Sequence, residues 1–266
     1  MTETKIISLE QAAALIPSGT VVSVSSSSGL GCPDALLRAI GERFAATGEP
    51  RDLTTIHPIA AGDMYGIAGI DHLARPGLLK RVIAGSYPSG PSSLPSPKIW
   101  QMIEQNAVEA YNIPSGILFQ LHADAAAGRP GVLTKVGLDT YLDPRRQGGK
   151  MNAATTEDLV QLVQFDGEEW LYLRAIPIDV AIIRGTTADE WGNISMEHEG
   201  AYLGALEQAI AARCNRGIVI AQVKRVTAAG TIPTQQVRVP SVLVDYVVVA
   251  PDQWQTTQTV YDPAIS

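Results

Sequence analysis

Asp179-Val180-Ala181-Ile182-Ile183-Arg184 holds an unbroken apolar run between two charged residues. A strand with one solvated face alternates apolar and polar residues. A run without alternation fits a strand covered on both faces, as in parallel sheets sandwiched by helices. Gly217 to Val223 and Val242 to Ala250 read the same way. Glu199 to Arg213 reads as the helix between the first two of these runs.

Toward the N-terminus the strand-helix alternation continues. Ser8 with Gln11 three residues on is a capping-box pattern, so a helix is expected from Glu10 to Ile16, stopped by Pro17-Ser18-Gly19. Thr20 to Val24 reads as a strand. Pro33 suits the first turn of the next helix and Asp34 complements its dipole. Leu36, Leu37, Ile40 and Phe44 then recur at helical spacing. Leu53 to His57, Lys80 to Ala84 and Val108 to Ile113 are expected strands, and Ile99 to Asn106 and Ser115 to Ala127 expected helices. Between Ser115–Ala127 and the 179–184 run the pattern changes. Val160 to Phe165, Asp166-Gly167 and Glu168 to Arg174 form a hairpin signature. The expected fold is α/β: a mostly parallel sheet with helices on both faces and an antiparallel hairpin insertion. A single domain is expected over residues 1–250, followed by a polar C-terminal tail, 251–266. No internal repeat interrupts it.

The 266 residues are enough to bury a large core, and 45% hydrophobic with 18% charged residues is ordinary for a globular protein. The net charge of −7 argues against nucleic acid or an anionic membrane surface as partner. Two cysteines, Cys32 and Cys214, give no disulfide framework. No run reaches the roughly 18 apolar residues of a membrane span, and Met1 to Lys5 has no signal-peptide core. A cytoplasmic protein is expected.

The common catalytic signatures are absent: no G-x-S-x-G, Walker A, G-x-G-x-x-G or H-E-x-x-H pattern occurs. His57, His72, His122 and His198 lack metal-pair spacing, and no metal site is expected. Glu197-His198-Glu199 has metal-ligand residue types, but consecutive residues do not share a helix face. Cys32 sits at an expected helix N-terminus, where a dipole lowers a thiol pKa; it reads either as a reactive thiol or as a small packed residue. Ser25 to Gly31 follows a strand and precedes a helix, the place where parallel sheets bind ligands. Its glycines allow close backbone approach, or serve turn geometry alone. Gly185 to Met196 reads as a tight loop in which Asp189 and Asn193 bond their own backbone.

Gly185-Thr-Thr-Ala-Asp-Glu-Trp-Gly-Asn-Ile-Ser-Met-Glu197 resembles the G-T-x-A-D-x-x-G-N segment of family I coenzyme A transferases. Gly128-Arg-Pro-Gly-Val132, Val136-Gly137, Asp143-Pro-Arg145, Gly148-Gly-Lys-Met-Asn152, Thr155 to Leu159 and Pro240 to Val249 are similar in the same order. The chain resembles the first, or alpha, half of acetate/propionate and 3-oxoacid transferases. The resemblance implies a ping-pong reaction in which a glutamate carboxylate attacks an acyl-CoA thioester. A glutamyl-CoA thioester follows, and an acceptor carboxylate collects the CoA. In the family that glutamate belongs to the second half. No catalytic residue is therefore expected here. The implied partner is a beta subunit carrying the glutamate, in a hetero-oligomer, and the chain is expected to be inactive alone. No cofactor is implied beyond the coenzyme A thioester that is the substrate.

The first loop, Ser26 to Asp34, keeps the glycines and proline of the family's G-F-x-G-x-G-x-P-E but lacks its aromatic residue. Ala61 stands where relatives carry an amide side chain, and Ser115 where glutamine is common. The resemblance implies acyl-pocket walls from loops 25–31, 57–63, 85–90 and 113–116. The expected substrate-binding residues are Ser28, Gly29, Gly31, Ala61, Gly62, Tyr87 and Ser115. The lost amides favour one alternative, an acyl-CoA hydrolase or C–C-cleaving enzyme on the same scaffold; a second alternative is a non-catalytic structural or regulatory half of a complex.

Overall fold

A computed structural model of the chain describes residues 5–90 and 95–255. In chain order the N-terminal stretch forms β1 (Ile6–Ile7), α1 (Leu9–Ala14), β2 (Val21–Val24), α2 (Asp34–Thr47), β3 (Leu53–His57), β4 (Leu79–Ala84), α3 (Lys98–Glu104), β5 (Glu109–Asn112) and α4 (Ser115–Ala126). Then come β6 (Gly131–Thr134), β7 (Val160–Phe165), β8 (Glu168–Arg174), β9 (Val180–Arg184), β10 (Thr187–Asp189) and β11 (Ile194–Ser195). The chain continues through α5 (Ala205–Cys214), β12 (Ile218–Val223), β13 (Arg225–Thr227), β14 (Val237–Val239) and β15 (Tyr246–Val249). No helix among the described residues is long and apolar enough to cross a membrane.

The main sheet has eight strands in the order β1-β15-β12-β9-β2-β3-β4-β5, and every pairing is parallel. Strand β9 shows why its sequence does not alternate. Val180 and Ile182 pack with α1, α2 and α3 on one face. Ala181 and Ile183 pack with α4, α5 and the β6–β8 hairpin sheet on the other. Burying each such side chain contributes about 1.5–3 kcal/mol. The capping box at Ser8 forms as the sequence predicts. Asp34 does more than complement a dipole: its Oδ1 accepts from Gly69 N–H and from His72 Nε2.

The hairpin signature forms β7 and β8, which join β6 in a separate three-stranded antiparallel sheet. Three expectations are corrected. The 242–250 run holds a strand only over Tyr246–Val249; Pro240 to Val244 turns, Lys5 Nζ donates to Ser241 O and Val244 O, and Val242 is exposed. The helix expected from Glu199 begins at Ala205, because Leu203 and Gly204 take left-handed backbone angles. The Gly185–Met196 loop contains two short strands, and β10, β11, β13 and β14 form a third sheet. Residues 251–255 have no helix or strand, yet Gln253 and Gln255 are buried and Arg184 Nη1 donates to Trp254 O. The remainder of the expected tail lies outside the described residues.

Candidate functional site

Strand order reverses between β2 and β9, the kind of switch point at whose carboxyl ends open parallel sheets bind ligands. On the β2–β3–β4 side the loops after these strands close on one another. Ser28 N–H donates to Ala60 O at 2.6 Å, and Gly62 N–H donates to Ser28 O at 2.9 Å. Ala60 N–H donates to Ser86 Oγ at 2.9 Å, tying in the third loop. Between them lies a cleft of about 590 Å³ whose walls include Ser28, Gly29, Gly62, Asp63, Ser86 and Tyr87. Gly62 has φ +98°, and a Cβ there would meet Ala68 O at 2.5 Å, so only glycine lets the second loop fold back this closely. Gly29 N–H has no acceptor among the described residues, which leaves a backbone donor at the cleft wall.

Four of the expected binding residues, Ser28, Gly29, Gly62 and Tyr87, meet at this cleft. The other three support it from behind. Ala61 is fully buried in the hydrophobic cluster shared with α2, and its carbonyl accepts from Ile70 N–H. Gly31 faces Leu203, whose Cδ1 would lie 2.5 Å from an added Cβ. Ser115 opens α4 against Gly85, where an added Cβ would lie 2.3 Å from Ser115 Oγ. Ser86 and Asp63 lie in loops expected to form the walls but were not singled out as binding residues: a serine whose hydroxyl receives a backbone N–H carries no spacing signal.

The titratable groups around the cleft are shaped by burial. Burial pushes the Tyr87 phenol well up, and its hydroxyl donates to Tyr111 O. His57 lies against Tyr87 with ring centroids 6.2 Å apart, and burial lowers it to about 4. Asp63 is the acidic residue of the wall, and its Oδ1 accepts Tyr65 N–H. Several acidic side chains of the family-like segments are engaged elsewhere. Glu157 pairs with Arg81 and Asp158 with Lys150. Glu190 accepts Ala229 N–H. Glu197 accepts from Ser195, Thr187 and Arg225; burial would raise it, but those bonds leave it lowered. Neither Glu197 nor Glu199 starts a helix. Cys32, read either as a reactive thiol or as a small packed residue, is fully buried, and burial raises the thiol, which favours the packed reading. No cluster suited to a metal ion occurs among the described residues.

A second hollow of about 420 Å³ lies past the switch point, between Arg184, Gln222 and the 249–254 segment. Of its polar side chains, Asp34, Arg184, Gln222 and Gln253 are committed to other protein groups. Arg184 Nε lies 3.2 Å from Glu199 and Arg184 Nη1 reaches Cys32 O at 3.0 Å. Gln222 bonds Leu36 N–H and Gln253. The β2–β4 cleft is therefore the better candidate.

A family model described as Coenzyme A transferase matches residues 6–250. The chain belongs to the coenzyme A transferase family. It is 41% identical over 265 residues to a caffeate CoA-transferase of Acetobacterium woodii, covering 98% of this chain and 49% of that protein. The crystal structure of the acyl-CoA transferase YdiF apoenzyme from Escherichia coli O157:H7 superposes with a TM-score of 0.87 at 40% identity, covering 95% of this chain and 48% of that one. The acetate CoA-transferase subunit alpha of Escherichia coli K12 is 23% identical over 248 residues, covering 93% of this chain and 98% of that subunit. The chain thus spans about half the length of the first two relatives and nearly all of the third.

In this member of the family the Gly185–Glu197 segment that carried the resemblance is held by its own hydrogen bonds. The Asp189 carboxylate accepts Trp191, Asn193 and Gly230 N–H groups, and Asn193 Oδ1 accepts Ser241 N–H. The family motif staples the third sheet to the 240–244 turn, away from the cleft.

Proposed function

We propose that this chain is the alpha-type half of a CoA-transferase that moves CoA between acyl-CoA thioesters and carboxylic acids. A second half, carried on a partner beta subunit, supplies the nucleophilic glutamate. One observation carries this reading. The cleft offers a spare glycine N–H and hydroxyls, while the acidic residue on its wall is tied into a turn. Such a wall can hold an acyl carbonyl and stabilise an oxyanion, and the attacking carboxylate is assigned to the second half.

Ser28, Gly29, Gly62 and Tyr87 contact the acyl group in this proposal, with Gly31, Ala61 and Ser115 shaping the loops. The partner glutamate attacks the thioester carbonyl and expels CoA thiolate, leaving an acyl-glutamyl anhydride. The thiolate attacks the glutamyl carbonyl and releases the first acid as its carboxylate. The acceptor carboxylate then attacks the glutamyl-CoA thioester, and the thiolate returns to the acceptor's acyl carbon, regenerating the glutamate. No cofactor is consumed. The enzyme works as a hetero-oligomer in the cytoplasm, where Cys32 and Cys214 stay unpaired.

Mass spectrometry after incubating the two-half enzyme with an acyl-CoA, with and without borohydride, tests the division of labour. Modification is expected on the second half alone. An adduct on any carboxylate between Met1 and Ser266 overturns it. Release of free CoA without an acceptor acid would instead support the hydrolase alternative.

A further inference from the structure

The cleft does not end at Tyr87. On the far side of Ser86 and Tyr87, and sharing both, lies another hollow of about 510 Å³. Its walls bring together Tyr87, Trp100, Tyr141 and Met151, from the loop after β4, from α3 and from the 137–152 loop. Tyr87 and Trp100 pack at 5.4 Å between centroids with planes tilted by 53°. Trp100 Nε1–H is used on Pro88 O at 2.8 Å, so the indole offers the hollow only its hydrocarbon surface.

The polar side chains on its walls include Ser86, Asn112, Gln147 and Lys150, and Lys150 is the charged one among them. Lys150 is paired with Asp158 at 2.5 Å. Ser86 accepts Ala60 N–H through Oγ, and its hydroxyl proton has no acceptor among the described residues. Asn112 Nδ2 donates to Gly85 O at 3.0 Å, and its Oδ1 receives no donor among them. A second carboxylate would have to break the Lys150–Asp158 pair. A short alkyl chain would leave most of the hollow unfilled. A flat ring fits, because aromatic walls favour offset or edge contacts with another ring, and the volume is that of a small-molecule pocket.

We propose that this hollow receives the tail of the transferred acyl group, and that the tail is an uncharged aromatic ring. Tyr141, which is partly exposed, and Gln147 at the rim set this specificity. The inference rests on the CoA-transfer reading and goes beyond it by naming the substrate class.

The test uses the enzyme with both halves, acetyl-CoA as donor, and propionate, hexanoate, succinate and 3-phenylpropenoate as acceptors. The expected kcat/KM for 3-phenylpropenoate is at least about tenfold above each of the others, a difference of about 1.4 kcal/mol in the barrier. Tyr141→Ala, which removes one wall, and Gln147→Trp, which fills the mouth, should each lower that value about tenfold while propionate stays within about twofold. Both positions are on the surface, and unchanged thermal melts will show that the variants fold. A preference for hexanoate or succinate overturns the ring assignment. Equal losses for propionate and 3-phenylpropenoate overturn the hollow as a specificity site. If the unaltered enzyme passes CoA to no acid, the transferase reading fails and this inference fails with it.

Discussion

The two sides of the switch point in the main sheet are built from similar parallel strands and end differently. At the tips of β9, β12 and β15, Arg184, Glu199, Gln222 and Gln253 bond one another and backbone groups. That network holds residues 253–254 against the sheet. At the tips of β2, β3 and β4 the loops are glycine- and serine-rich. They are clipped together mainly by backbone bonds and leave donors without acceptors among the described residues. One side locks the chain and the other is open to a ligand. The difference lies less in the strands than in whether their tips carry long polar side chains or small residues.

The largest effect that would test this contrast is at the locked side. Arg184 and Glu199 are almost wholly buried, and burial already raises the Glu199 pKa against the opposing pull of Arg184. Arg184→Ala leaves that carboxyl without its partner and should lower stability by about 3–5 kcal/mol in guanidinium unfolding. The Arg184→Met, Glu199→Leu double variant should recover much of that loss. A single-variant loss below about 1 kcal/mol, typical of an exposed pair, would mean that this side is not locked.

Acid offers the next contrast. His57 on β3 and His122 on α4 are both lowered by burial from 6.5 to about 4. The folded state thus disfavours their protonated forms. Their contribution is complete above the unfolded pKa and is lost as pH falls from about 6.5 toward about 4. By about pH 5.5 the two together should remove about 3 kcal/mol. His122 Nε2 lies 2.9 Å from Ser23 Oγ on β2, so both histidines are on the open side. Hydrogen exchange near that pH should therefore rise in β3 and α4 before β12 and β15. Simultaneous loosening would erase the distinction between the two sides.

The smallest effect concerns the clip between open-side loops. Ser86→Ala removes the acceptor of Ala60 N–H and should lower stability by about 1 kcal/mol, with a several-fold loss of CoA-transfer activity. Full activity would show that Ser86 does not shape the cleft.

The sequence by itself determined the layered α/β architecture. Unbroken runs such as Val180 to Ile183 are legible because burial on both faces forbids polar alternation. The β7–β8 hairpin is legible because Asp166-Gly167 has few other uses. It also marked the loop after β2 as a candidate, since a strand-end loop with glycines is a local feature; the loops after β3 and β4 were implied by the family resemblance. The tertiary structure alone decided which of those residues face the cleft. Ala61 and Gly62 are neighbours, yet one packs into the core and the other onto the open wall. It alone decided that Cys32 is inert, that Glu199 meets Arg184 rather than opening a helix, and that Trp100 and Tyr141 flank Tyr87. Those facts depend on contacts between residues distant in the chain, and on desolvation that no single segment experiences before the sheet assembles. Local pattern records the period of a strand or helix, whereas the environment of a side chain is fixed only when remote segments close around it.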